Sequence, residues 1–162
     1  MPCAETTVGP VLVVRLASVE ELRPVILRVL RPHGPLPGDR PPPPDWLHLV
    51  AEADGTIVGG CSVGPAAWSH PELLRLPRPT WQLRSMAVLP EHRGGTGGAV
   101  LRAATDQAFR SGAASMWANA RTASINLYTR GGWRIVGDEW VKPGVGPHRY
   151  VVREHAPNDA DS

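Results

Sequence analysis

Over residues 81–102 the chain reads WQLRSMAVLPEHRGGTGGAVLR. The part up to Val88 is largely apolar and predicts a β-strand, which Pro90 ends because proline has no N–H to donate to a neighbouring strand. A glycine-rich turn follows at residues 93–98. Residues 99–110 then carry apolar side chains at helical spacing and predict a helix. A strand, a glycine turn and a helix therefore follow one another directly.

This turn has the chemistry that a bound diphosphate requires. Glycines let the backbone approach an anion closely, and a helix start offers free N–H groups and the positive end of its dipole. A P-loop requires a lysine that the turn lacks, and a dinucleotide fingerprint requires glycine where Val100 stands. A flexible turn without a ligand stays open from these residues alone. The residues that supply the backbone, with a hydroxyl from Thr96, are Gly94, Gly95, Thr96, Gly97 and Gly98.

The chain before this segment predicts one helix among several strands. Ser18 and Glu21 form a capping-box pattern that opens a helix. Pro24 would interrupt that helix, so we expect a late start with Pro24 in the first turn. The dipeptide Asp54-Gly55 between two strand-like runs predicts a hairpin. The predicted strands cover residues 11–16, 47–53 and 56–63.

Seven of the prolines fall within residues 31–44. We expect this stretch to be irregular, and two interpretations stay open: a solvated linker, or a stiff lid beside a substrate site.

The chain after Gly112 continues the alternation of strands and helices. Gly112 is placed to end the helix before it, and Gly131-Gly132 to end a further helix at residues 124–129. Strands are predicted at residues 115–118, 133–136 and 149–152. This alternation indicates a mixed α/β sheet. We expect a single domain over residues 1–155 and a polar tail over residues 156–162.

Composition narrows the function classes. The chain has 162 residues, 42% hydrophobic and 20% charged, with a formal net charge of +2, so a broad nucleic-acid-binding surface is not expected. Cys3 and Cys61 form no CxxC pair, and the histidines show no helical metal-site spacing, so no metal is expected. No signal peptide and no membrane-spanning run of about 20 apolar residues is visible. We therefore expect a cytoplasmic location.

Two motifs carry a resemblance to a known family. Residues 86–101 resemble the cofactor-binding motif of the GNAT superfamily of N-acetyltransferases, in which a strand ends in Val-x-Pro and is followed by Arg or Gln, two residues, Gly, any residue, and Gly or Ala. Val88, Pro90, Arg93 and Gly98 fit this pattern, whereas Thr96 stands where the middle glycine is usual. Residues 119–133 look like the second motif of the family, with Gly132-Trp133 in place of the usual Gly-Phe.

The resemblance implies a fold and a cofactor. The implied fold is a mixed, mostly antiparallel sheet of about six or seven strands, with helices on both faces and a central splay between two parallel strands. Acetyl-coenzyme A is the implied co-substrate. Its pantetheine arm would run along Met86, Ala87 and Val88, and its pyrophosphate would lie on residues 93–98, with Asn119 and Asn126 bonding the pantetheine amides.

The resemblance also implies direct transfer of an acetyl group to a primary amine. Tyr128 is the expected general acid toward the thiolate leaving group. The predicted strand at residues 81–88 offers no carboxylate as general base, so His148, in a connection near the cleft, is the candidate, with a bound water as the alternative. Trp68, Trp117 and Trp140 either line an acceptor pocket or pack.

The expected acceptor is a small-molecule or peptide amine, with no nucleic acid and no membrane as partner, and a homodimer stays open. The alternative function is a non-catalytic acyl-coenzyme A-binding or regulatory domain. O-acyl transfer and longer acyl groups also stay open.

Overall fold

The computed structural model describes residues 11–155, in which seven strands form one sheet in the order β1-β2-β3-β4-β5-β7-β6 and are joined by three α-helices. Cys3, the start of the expected domain and the expected tail at residues 156–162 lie outside the described residues. The strands are β1 (Leu12–Ala17), β2 (Leu47–Ala53), β3 (Thr56–Pro65), β4 (Thr80–Val88), β5 (Ser115–Arg121), β6 (Arg134–Lys142) and β7 (Gly146–Glu154). The helices are α1 (Val19–Leu30), α2 (Thr96–Arg110) and α3 (Ile125–Arg130).

The sheet is antiparallel except between its two central strands. β4 and β5 run parallel and pair only from Thr80 to Leu83 and from Ser115 to Ala118. Beyond Leu83, β4 carries a bulge in which Ser85 adopts a left-handed backbone, with φ of +62°. The two strands then separate, which confirms the expected mixed sheet with a central splay.

The side chains near β3 identify which helix covers which face. A Cβ on Gly60 would lie 2.5 Å from Leu22 Cδ1 of α1, so Gly60 and Ser62, two residues apart, face α1. Cys61 points to the opposite face, toward Tyr128 of α3, whose pKa is raised by burial and then by the nearby Cys61 thiol. We call the face that α1 covers the α1 face. The opposite face is called the α2 face, because α2 and α3 contact each other there.

Helix α1 begins earlier than expected. Glu21 N–H donates to Ser18 Oγ at 3.1 Å and Ser18 N–H donates to Glu21 Oε2 at 3.0 Å, so the capping box is formed and Val19 is the first helical residue. The expected late start at Pro24 is wrong. Pro24 lies in the second turn, where its ring faces solvent, while buried Leu22 and Val25 hold the helix on the sheet.

Two further elements extend beyond the predicted bounds. Helix α2 begins at Thr96, so the last part of the glycine-rich turn is its first turn.

The hairpin of β6 and β7 is also longer than predicted, with a connection of only residues 143–145. His148 therefore lies inside β7 opposite Arg121 of β5, and its expected place in a connection is wrong. Gly146 and Pro147 resemble a loop in sequence but form the start of the strand, where a missing N–H is tolerated.

The core separates into two clusters. The larger one packs around the sheet and the helices and includes fully buried Val58, Val100 and Met116. The smaller one joins Trp68 and Trp117 with Leu76 and Val152. Trp117 Nε1 donates to Ala66 O at 3.1 Å and Trp68 Nε1 donates to Leu74 O at 2.7 Å, so both rings serve packing. No helix within residues 11–155 is long and apolar enough to cross a bilayer.

Candidate active site

One large cleft of about 1650 Å³ passes through the splay. Helix α1 and the proline-rich segment at residues 31–42 form one wall, and the start of α2 with α3 forms the other. The free parts of β4 and β5 form its floor. The predicted site residues that line it are Met86, Ala87, Val88, Arg93, Gly94, Gly95, Gly97, Gly98, Asn119, Asn126, Tyr128 and His148.

The start of α2 leaves room for a ligand at three glycines. Gly94 and Gly95 have φ of +107° and +130°, which favour glycine, and an added Cβ at either would meet no atom within 4 Å. Gly98 also faces open space, although it is helical. Because the first helical N–H groups have no partner within the helix, this open space suits an anion. We call it the α2 corner.

Thr96 is the one predicted loop residue that does not line the cleft. It is the first residue of α2 and its side chain is buried, with 8% exposed. A threonine is tolerated at this position because its side chain points away from the cleft and leaves the approach to the backbone open. The expected hydroxyl contribution of Thr96 to the ligand therefore receives no support.

The free edge of β4 offers an extended binding surface. Beyond Leu83, β4 has no strand partner on the side of β5. Met86, Ala87 and Val88 lie on this stretch and line the cleft. An extended ligand can pair with such an edge through main-chain hydrogen bonds. This arrangement fits an amide-containing arm that leads from the α2 corner into the splay.

Tyr128 lies on the α2 face with its ring in the main core. It is 3% exposed and makes an edge contact with Trp133 at 5.4 Å between ring centroids. Burial, and then the Cys61 thiol, raises the pKa of the Tyr128 hydroxyl well above its usual value. The hydroxyl therefore stays protonated near neutral pH, and it can donate a proton but is a poor base.

His148 lies in the cleft on the α1 face, stacked on Trp140 at 4.9 Å between centroids. Its Nδ1 is 2.8 Å from Gly146 O, and because a carbonyl only accepts, Nδ1 carries the proton and Nε2 keeps its lone pair. Burial lowers the pKa of His148, outweighing this hydrogen bond, and Arg121, Lys142 and Arg31 lower it further. A neutral imidazole of this kind can accept a proton.

The two predicted asparagines have different surroundings. Asn119 is exposed on β5, directly opposite Tyr150 of β7, where β5 has already separated from β4. Asn126 is exposed in the first turn of α3. Both side chains can therefore reach a ligand in the cleft, and their predicted role toward the pantetheine amides stays a prediction.

Sequence reasoning missed part of the site. Arg84 of β4 and Arg121 of β5 both line the cleft on the α1 face. Successive side chains of a strand point to opposite faces of the sheet, and Trp81 and Leu83 of β4 face the core. This alternation could have predicted that Arg84 lies on the other face. Nothing local to the sequence indicates that Arg121 lies across the splay from it.

The thiol of Cys61 is an unsuitable nucleophile. It is fully buried on the α2 face, and burial raises its pKa to about 12. Within residues 11–155 no group of three or more histidine, cysteine, aspartate or glutamate side chains is placed to hold a metal ion.

Comparisons with known proteins agree with this geometry. The model of the acetyltransferase (GNAT) family matches residues 17–133. YitI of Bacillus subtilis (strain 168), an uncharacterised N-acetyltransferase, is 30% identical over 139 residues, which cover 83% of this chain and 91% of that protein.

Two solved structures share the fold. A protein of Lactobacillus plantarum assigned to the N-acetyltransferases has a TM-score of 0.70 at 14% identity, covering 88% of this chain and 97% of that one. The yncA protein of Salmonella typhimurium, solved with its cofactor acetyl-CoA, has a TM-score of 0.62 at 22% identity, covering 90% of this chain and 96% of that one. The family match and the YitI relative, together with this shared fold, establish that the chain belongs to the GNAT family of acetyltransferases.

Proposed function

We propose that the protein transfers the acetyl group of acetyl-CoA directly to a primary amine. The observation that carries this proposal is that one cleft joins the α2 corner, the free edge of β4, Tyr128 and His148. The acetyl-CoA in the yncA structure supports the choice of co-substrate, since that protein shares the fold.

Binding of acetyl-CoA would use backbone more than side chains. The pyrophosphate would lie on the N–H groups at the start of α2, with Arg93, Arg102 and Arg130 lining the cleft nearby. The pantetheine arm would extend along β4 toward the splay. A strand N–H near Val88 would meet the thioester oxygen and stabilise the negative charge that develops on it.

The transfer step needs one base and one acid. The amine lone pair attacks the thioester carbon, so that a C–N bond forms and the C–S bond breaks. Nε2 of His148 accepts the proton that the amine loses, and the Tyr128 hydroxyl donates a proton to the departing sulfur. Proton exchange with water then restores both side chains. The buried, protonated state of Cys61 supports direct transfer over an acetyl intermediate on that thiol.

The experiment is to incubate the protein with acetyl-CoA and a panel of primary amines, and to follow thiol release together with thermal stabilisation. A ligand at 100 times its dissociation constant stabilises a protein by about 2.7 kcal/mol. We expect stabilisation by acetyl-CoA and amine-dependent thiol release. Absence of stabilisation would refute the proposal, and stabilisation without thiol release across the panel would favour a non-catalytic binding domain.

A further inference from the structure

Two arginines face each other across the splay on the α1 face. Arg84 of β4 is paired with Ser62 of β3, which faces α1. Gln82, two residues before Arg84, is paired with Trp117 of β5, so Arg121, four residues after Trp117, projects from the same face. Arg121 is in turn opposite His148 of β7. The two guanidinium groups therefore border the part of the cleft that contains the candidate base.

Neither arginine is neutralised by a carboxylate within residues 11–155. Arg84 Nη2 donates to Arg40 O at 2.7 Å, and Arg121 Nη2 donates to Leu30 O at 3.4 Å. These partners are neutral carbonyls. Burial lowers the pKa of both side chains, and each is half-buried. Two partly desolvated cations without an anion are unfavourable unless a ligand supplies one.

The surrounding charges add to this imbalance. Lys142 and Arg31 also lie near His148. Asp39 is the acidic residue on this wall, and its carboxylate is already held by Arg31 at 2.7 Å. This end of the cleft therefore presents a net positive charge to whatever binds there.

The guanidinium group of Arg84 is also held in place. Its Cζ lies 5.7 Å from the ring centroid of Trp46, a distance at which a cation interacts with an aromatic face. Trp46 is seated closely on Gly64 of β3, where an added Cβ would clash with its indole. A stacked guanidinium whose position is set in this way can bind an oxyanion with little loss of side-chain entropy.

The phosphates of acetyl-CoA do not account for this site. The α2 corner and Tyr128 belong to the α2 face, where α2 and α3 contact each other. Arg84 and Arg121 belong to the α1 face, beyond the splay. The acceptor is expected on this side, because His148 is there.

We propose that Arg84 and Arg121 form an oxyanion subsite, so that the acceptor is an amine that also carries a carboxylate or phosphate group. This inference rests on the proposed acetyl transfer to an amine. Because Arg121 and His148 are opposite each other on adjacent strands, the oxyanion and the reacting amine are close together in the acceptor. A diamine or polyamine would instead place a second ammonium group among Arg31, Arg84, Arg121 and Lys142, which repel it.

The test compares amines that differ only in the oxyanion. Protein saturated with coenzyme A, so that the α2 corner is filled, is titrated calorimetrically with L-arginine and with agmatine, which is arginine without its carboxylate. Phosphoethanolamine and ethanolamine form the second pair. We expect the anionic member of at least one pair to bind about tenfold or more tightly than its partner.

Variants identify the residues responsible. Arg121→Gln and Arg84→Gln should each reduce the preference for the anionic member toward equality. Arg110→Gln removes the same charge at the exposed end of α2 and should leave the preference unchanged. Two variants are used because half-buried Arg84 contributes to packing and its replacement can lower stability.

Equal binding within both pairs, or a preference that survives both variants, would overturn the inference. A preference in the arginine pair alone identifies a carboxylate, and one in the phosphoethanolamine pair alone identifies a phosphate. The proposed function is judged separately. If coenzyme A does not bind, that function fails, and the same titrations of the protein alone still decide the oxyanion preference.

Discussion

The surroundings of His148 keep its imidazole neutral, as the proposed role of a base requires. The Gly146 carbonyl holds the proton on Nδ1, and burial together with three nearby cations disfavours a second proton. The residue type and its place near the cleft were predictable from the sequence, whereas its strand position was not, since Gly146-Pro147 resembles a loop. Among the cations that lower its pKa, Arg31 and Arg121 come from distant parts of the chain, whereas Lys142 lies on the preceding strand.

This protonation state predicts a pH dependence. The imidazole of His148 is neutral above its pKa and can no longer accept a proton once the pH falls below it. Because this pKa is lowered, the acidic limb that His148 causes in the pH–rate profile should lie below pH 6.5, the ordinary imidazole value. Protonation of the amine gives a separate limb at higher pH. The slope of log kcat/KM against pH should therefore double below the His148 limb.

His148→Gln should lower kcat/KM by about 10²- to 10⁴-fold and remove the steeper part of this profile. Retention of the double slope in this variant would assign the second proton to another group.

Tyr128 carries a complementary prediction. Tyr128→Phe removes the donor to the leaving sulfur but retains the ring in the core, so we expect kcat to fall by about 10²-fold or more while the affinity for coenzyme A changes little. The measurement is steady-state thiol release together with coenzyme A titration. Unchanged turnover would exclude Tyr128 as the acid, and a matching loss of affinity would indicate a structural role.

At the scale of elements, the sequence predicted most strands and helices but placed several ends too early or too late. Glycines at 97 and 98 suggest a turn, yet they form the first turn of α2, since the helix after them is held by buried Val100 and Leu101. β6 is interrupted in sequence by Gly137, which has φ of +77° at an irregularity in the pairing with β7. The strand predicted from hydrophobic periodicity alone therefore ended too early, at residue 136.

The first turn of α2 can be tested by filling its open side. An added Cβ at Gly98 meets no protein atom within 4 Å, so Gly98→Val should leave the free energy of unfolding nearly unchanged. The side chain would occupy the space expected for the pyrophosphate, so the thermal shift produced by coenzyme A should fall sharply. Gln107→Val, in the same helix outside the cleft, is the control. An undiminished shift in Gly98→Val would place the phosphates elsewhere.

At the scale of the whole molecule, the sheet consists of two antiparallel parts joined by a short parallel pairing. β1 to β4 form one part and β5 to β7 the other, with contact from Thr80 to Leu83 on β4. Alternating strands and helices indicated a mixed sheet, whereas the splay between two parallel strands was expected only from the family resemblance, and the order of the strands in the sheet was not predicted. The bulge at Ser85 that accompanies the splay has no evident signal in the sequence.

This architecture predicts where coenzyme A should protect the backbone. A ligand that pairs with the free edge of β4 should slow amide hydrogen exchange at residues 84–88, while exchange along the edge strand β1, none of whose residues lines the cleft, should be unaffected. Mass-spectrometric hydrogen exchange with and without coenzyme A checks this expectation. Protection of β1 alone, or no protection on β4, would contradict binding in the splay.

The most direct test of the central claim is to follow a labelled acetyl group. Acetyl-CoA labelled in the acetyl carbon is mixed with the protein and an amine that it accepts, and the reaction is quenched at short intervals. We predict that the label passes from acetyl-CoA to the amine in step with thiol release, without accumulating on the protein. Label that stays on acetyl-CoA, or that appears first on the protein, would contradict direct transfer in this cleft.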